Sequence, residues 1–149
     1  MTFVTDPLTI QITESEVNVE MANPLQGIRV VDCSHWYVGP EAASLLGDMG
    51  AEVIHVEPLG SGEMTRGMLS LMGVSAKLPN GGSAIFLDHN RNKKSLALDL
   101  KKAEGREIIY RLVKKSDVFI TNFRRPAVVK LGITYETLSG INQQLVYGF

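Results

Sequence analysis

Apolar positions along the chain fall into short runs separated by stretches with helical spacing. Ile28, Val30 and Val31 form a compact run ended by Asp32, the composition of a buried strand. Gly39-Pro40 then opens a segment in which Ala42, Leu45, Leu46 and Met49 recur on one helical face. Gly50 supplies its stop, and Ala51 to Val56 reads as a second strand closing at Glu57-Pro58. Strand, helix and strand with short connections predict one right-handed βαβ unit.

The same alternation continues downstream. Leu96 to Leu100 predicts a third strand, and Glu104 to Lys115 a helix with Ile108, Ile109, Leu112 and Val113 on its inner face. Asp117 to Thr121 and Leu145 to Phe149 read as two further strands, with short helices over 126–130 and after a Thr134 cap. Five parallel strands are therefore expected near 28–32, 52–56, 96–100, 117–121 and 145–148, with the main helices near 40–49 and 104–115. The fold class is α/β, a Rossmann-like, mostly parallel sheet with flanking helices.

Two segments break the pattern. Residues 1–22 carry acids and no large aromatic beyond Phe3, and read as a mobile N-terminal extension in which 9–13 could form a weak strand. Leu59 to His89 holds six glycines and reads as a long functional or mobile loop, with a short helix over Met64 to Met72. Residues 23–149 then form one domain.

Composition changes this picture little. Apolar content is 44% and the net charge is −1 over 149 residues, which fits a globular chain. Cys33 is the only cysteine, so there is no disulfide framework and a reducing compartment is expected. No apolar run approaches the ~18–20 residues of a membrane span, and Met1 to Met21 lacks the basic residues of a signal peptide. A cytoplasmic protein without membrane association is expected.

Charge distribution says more. Asp88 to Lys130 holds 12 of the 15 Lys and Arg residues against five acids, whereas the remainder holds three bases and 11 acids. A solvated basic surface and a face for an anionic ligand both explain this.

In parallel sheets, ligands bind beyond the C-terminal strand ends. That rule selects Asp32 to Val38, Glu57 to Gly62 and Asn122 to Arg125. The first connection, Cys33-Ser34-His35-Trp36-Tyr37-Val38-Gly39, lacks the glycines that let a pyrophosphate approach the backbone, so a dinucleotide dehydrogenase is disfavoured. Cys33 has no basic neighbour to activate it, and His55 alternates with apolar strand residues as a structural histidine would. His35, His55 and His89 show no metal-ligand spacing, and no metal is expected.

Several motifs occur in a characteristic order. They are Pro24-Leu25-x-Gly27-Ile28-Arg29-Val30, then Asp32, Gly39-Pro40, Leu46-Gly47-Asp48-Met49-Gly50-Ala51-Glu52-Val53-Ile54, Val56-Glu57-Pro58 and Gly60-Ser61-Gly62-Glu63. Asn90-Arg91-x-Lys93-Lys94-Ser95, Leu98-Asp99-Leu100-Lys101, Glu104-Gly105-Arg106, Asp117-Val118, Asn122-Phe123 and Leu131-Gly132 follow. This series resembles the N-terminal portion of the family III CoA-transferases, the group with formyl-CoA and carnitine CoA-transferases and the α-methylacyl-CoA racemases.

The resemblance implies coenzyme A or acyl-CoA as substrate, with no permanently bound cofactor, and a small carboxylic acid as acceptor. It places Arg91, Lys93, Lys94, Leu98, Asn122, Arg124 and Lys130 at the CoA pocket, and His35, Trp36 and Tyr37 near the acyl group. His35 could equally be satisfied by backbone, and Trp36 and Tyr37 could pack under their loop. The sequence departs from the family's Asn-Phe-Arg-Pro-Gly at Asn122-Phe123-Arg124-Arg125-Pro126. Transferases of this family use an aspartate nucleophile located after the last strand seen here, so no catalytic residue is expected within these 149 residues. The chain then reads as an N-terminal fragment of an interlocked homodimer, inactive alone and not directed to nucleic acid. A racemase or epimerase on the same scaffold, and a non-catalytic CoA-binding module, are the alternatives.

Overall fold

The structure, a computed structural model, describes residues 23–149. The expectations for residues 1–22 lie outside the described part. Strand β1 (Arg29–Asp32) leads into helix α1 (Val38–Asp48) and strand β2 (Glu52–Pro58). Strand β5 (Lys93–Leu98), helix α3 (Ala103–Val113) and strand β6 (Val118–Ile120) follow an excursion. Helices α4 (Arg125–Leu131) and α5 (Tyr135–Ser139) then precede strand β7 (Val146–Gly148).

The five strands form one parallel sheet in the order β5-β2-β1-β6-β7. The chain builds outward from β1 through β2 to β5, then returns to the other side of β1 with β6. The topological switch point thus lies between β1 and β6. Such a point opens a crevice where the two following loops part.

Both faces are covered. Val31, Val56, Leu98 and Phe119 pack with Ile109, Val113, Val128 and Leu138 from the later helices. On the other face Val30 and Val53 pack with Ala43 of α1 and with Ala51. Gly105, in the first turn of α3, lies so close to the preceding turn that a Cβ there would overlap the Asp99 carbonyl oxygen. That close approach requires glycine and fixes the β5–α3 connection.

Two expectations need correction. The third sheet strand runs 93–98 rather than 96–100, because it is the sheet edge, where one polar face is tolerated and Lys93 and Lys94 fit. The stretch 59–89 carries more structure than the one short helix expected in it. It contains a 3₁₀ turn (Met64–Gly67) in place of the longer expected helix, an antiparallel pair of β3 (Ser70–Leu71) and β4 (Val74–Ser75), and helix α2 (Ala84–Asn90). Ser83 caps α2 by accepting the Phe86 N–H, and Thr134 caps α5 as expected.

Candidate functional site

Along β1 and β2, alternate side chains face α1. This row is apolar at the strand starts, Val30 and Val53, and turns ionic toward the C-terminal ends. Asp32, wholly buried, accepts at Oδ2 from His55 Nδ1 and from Lys93 Nζ, each at 2.8 Å. Its Oδ1 accepts the Ser34 N–H at 3.1 Å and also the Ser34 hydroxyl. Burial pushes the Asp32 carboxyl up, but the His55 hydrogen bond and the charges of His55 and Lys93 outweigh it, so its pKa falls. His55 is buried on its strand, and its Nε2 has no partner among the described residues.

One row further along, Glu57 receives both Arg66 Nε and Nη2 at 2.6 Å, the Ser95 hydroxyl at 2.7 Å and the Glu63 N–H at 2.8 Å. Desolvation raises its pKa, yet the Arg66 bonds, with the Ser95 and backbone bonds, hold it down at about 2. Arg66 also lies over the Phe86 ring at 3.9 Å, tying the 3₁₀ turn to α2. This ionic layer supports the loops above it.

Those loops frame two connected hollows. A cleft of about 340 Å³ is lined by Val56, Pro58, Leu59, Leu98, Lys101 and Phe123, among others. A smaller groove of about 170 Å³ is lined by Ser34, His35, Glu63 and Met64. Val56, Pro58, Ser61 and Phe123 wall both, so they form one continuous surface depression beside the switch point. Another hollow, about 290 Å³ between α4, α5 and β7, shares no lining residue with them.

Leu98 lines the cleft. His35 lines the smaller groove with its ring 4.5 Å from that of Phe123. Burial lowers its pKa, partly offset by the Glu63 carboxylate. Trp36 and Tyr37 are exposed rather than packed under the loop, and the Tyr37 ring meets His89 edge-on at 4.1 Å.

Three of the cations that the resemblance names, Arg91, Lys93 and Lys94, are engaged within the protein. Lys93 and Lys94 open β5 and pair in register with Val53 and Ile54, at the end of the sheet opposite the cleft. All three Lys93 donors are used, on Asp32, on the Pro40 carbonyl at 2.6 Å and on Asn90 Oδ1 at 3.1 Å. Lys94 is paired with Glu52 at 2.6 Å. Arg91 is held by Glu41 and Asp48, which raise its pKa, and also donates to the Asp88 carbonyl. Arg91, Lys93 and Lys94 thus neutralise acids from the first half of the chain, which accounts for three of the 12 bases in the basic segment.

Asn122 uses its amide on the His35 backbone, accepting the N–H at 3.0 Å and donating to the carbonyl at 2.7 Å. Arg124 is the residue before α4 and Lys130 sits in its last turn, both exposed. Lys101 and Glu63 were not singled out from the sequence. Lys101 adjoins Leu98-Asp99-Leu100, and Glu63 ends the glycine turn, so position in those motifs was the available signal.

Cys33 is buried, and desolvation with the neighbouring Asp32 charge pushes its thiol far up, away from nucleophilic reactivity. Glu41, Asp88 and His89 bring ligand-type atoms within 4.8 Å of one another. The Arg91 guanidinium, bonded to Glu41, already supplies the positive charge there. Among the described residues no helix is long and apolar enough to cross a membrane.

Comparison with known proteins agrees with this arrangement. The chain is 41% identical over 124 residues to the succinate–glutarate CoA-transferase of Agrobacterium fabrum, covering 83% of this chain and 31% of that protein. It is 37% identical over 126 residues to the formyl-CoA:oxalate CoA-transferase of Afipia carboxidovorans, covering 85% and 28%. The chain thus spans under a third of the length of these curated relatives. The crystal structure of a CAIB/BAIF family protein from Brucella suis superposes with a TM-score of 0.72 at 38% identity, over 83% of this chain and 32% of that one. That of Rv3272 from M. tuberculosis gives 0.74 at 38% identity, over 85% and 34%. The sequence profile of CoA-transferase family III matches residues 25–148, and the chain belongs to that family.

Proposed function

We propose that this chain forms the acyl-CoA-recognition part of a CoA-transferase that moves CoA from an acyl-CoA thioester to a free carboxylic acid. The observation that carries this reading is the continuous depression beside the switch point, with an apolar cleft at Leu98, Leu59 and Phe123 and a cation, Lys101, on its wall. A CoA nucleotide offers an aromatic base for such walls and phosphates for a nearby cation. The smaller groove at His35 then receives the thioester end.

The covalent step belongs to an aspartate outside these 149 residues. Its carboxylate attacks the thioester carbonyl, the C–S bond breaks, and CoA leaves as the thiolate. The thiolate attacks the aspartyl carbonyl of the mixed anhydride, releasing the donor acid and leaving an aspartyl-CoA thioester. The acceptor carboxylate repeats the two steps in reverse. The working protein is a cytoplasmic homodimer that needs no permanently bound cofactor.

The test uses the full-length protein carrying this segment, a panel of acyl-CoA donors and carboxylate acceptors, and hydroxylamine trapping. Acyl exchange with a trapped aspartate beyond residue 149 is the expected result. Exchange of the α-proton without transfer would favour a racemase instead. A trapped aspartate within 1–149, with turnover by these residues alone, would overturn the assignment.

A further inference from the structure

We propose that Asn122 and Glu63 are positioning residues that lock the loop Ser34 to Trp36, whose Ser34 and His35 wall the groove; the role rests on reading that groove as an acyl-CoA site. Three consecutive loop residues are each held by a side chain from a different place in the sheet. Ser34 is held by Asp32 at the end of β1, His35 by Asn122 after β6, and Trp36 by Glu63 after β2. Asn122 bonds both polar groups of His35, so it fixes the residue much as a neighbouring strand would. Glu63 is only 2% exposed, and its Oε1 accepts the Trp36 N–H at 3.0 Å. Its other oxygen is anchored by the Thr65 N–H at 2.7 Å and by the Thr65 hydroxyl.

The clamp holds a conformation the chain would otherwise avoid. Trp36 has φ of 73°, in the left-handed region that non-glycine residues rarely occupy unless their surroundings over-determine it. Helix α1 starts hard against the clamp. A Cβ on Gly39 would come 2.5 Å from Ser34 Cβ and 3.3 Å from Asn122 Cγ. Because β1 and β6 are adjacent, the Asn122 bridge spans the switch-point crevice itself. The loop is thereby set before a ligand arrives, which spares the ligand the cost of ordering it. Asn122 acts through His35 rather than by touching the reacting atoms.

Amide hydrogen exchange reads this directly, since the clamp bonds the His35 and Trp36 N–H groups. In the full-length protein without ligand, Asn122→Ala should speed exchange at His35, and Glu63→Ala at Trp36, by about tenfold or more. Amides of β1 and β2 should keep their protection, which controls for global unfolding. Asn122→Asp keeps an acceptor for the His35 N–H and should restore its protection in part. CoA affinity should fall several-fold in Asn122→Ala and recover in step with that protection. Unchanged exchange in both variants, or faster exchange with unchanged CoA affinity, would overturn the role. A wild type with protected amides that fails to bind CoA would instead overturn the acyl-CoA reading.

Discussion

Lys93 and Asp32 form an ion pair across 2.8 Å with their side chains only 2% and 0% exposed. The pair joins the edge strand to the strand at the centre of the sheet, and His55 shares the same carboxylate oxygen. A buried pair of this kind is costly to break from one side, because the remaining buried charge loses its lysine counter-ion. Lys93→Met should therefore destabilise the protein by about 3–5 kcal/mol. Lys94→Ala, whose side chain is 71% exposed beside Glu52, should change stability by about 0–1 kcal/mol. Denaturant titration of both variants checks this, and equal small effects would show that Asp32 is satisfied without Lys93.

Acid should weaken the fold through the same layer. Glu57 is held at about 2 against an ordinary 4.5, and Asp32 is also lowered. A carboxyl whose folded pKa is depressed contributes stability that is present above its unfolded pKa and is lost as pH falls through the folded one. Stability should thus drop between pH near 4.5 and pH near 2. In Glu57→Gln that drop should be shallower, with lower stability at neutral pH. Denaturation midpoints across the range measure it, and identical slopes for the two proteins would refute the assignment.

Gly105 should tolerate no side chain. A Cβ there meets backbone at Asp99, which cannot swing aside as a flexible side chain would. Gly105→Ala should cost about 1–3 kcal/mol by overpacking, and should disturb Asp99, Leu100 and Lys101 along the cleft. Gly67, with open space around it, is the control, and Gly67→Ala should stay within about 0.5 kcal/mol of wild type. Thermal melts distinguish the two.

Ligand binding should follow position rather than local charge density. In the full-length protein, Lys101→Ala should weaken CoA binding roughly ten- to a hundredfold, the effect of losing about 1.5–3 kcal/mol from one charged hydrogen bond. Lys94→Ala should leave affinity unchanged, since its side chain stands at the other end of β5. Calorimetric titration decides between them. RNA competing better than CoA would point to nucleic acid instead.

Much of the architecture was legible in residue order. The runs at Ile28, Ala51, Asp117 and Leu145 and the stripe from Ile108 to Val113 specify strands and a helix, because burial of one face imposes a period on the chain. The glycines and prolines at Gly39-Pro40 and Gly50 mark the ends of α1, and the loops after β1, β2 and β6 were identified as the site's edge. Helix α2 escaped because seven residues among glycines carry too little periodicity. The start of β5 escaped because an edge strand bears polar residues that look like loop. What only the tertiary structure decided is which charges meet. Lys93 and Lys94 are neighbours in sequence, yet one reaches Asp32, 61 residues away, and the other Glu52. Asn122 finds His35 87 residues away. Parallel pairing brings strands together in an order unlike their order in the chain, so residues that share a site are selected by register and strand order, neither of which a local pattern of apolar and polar positions encodes.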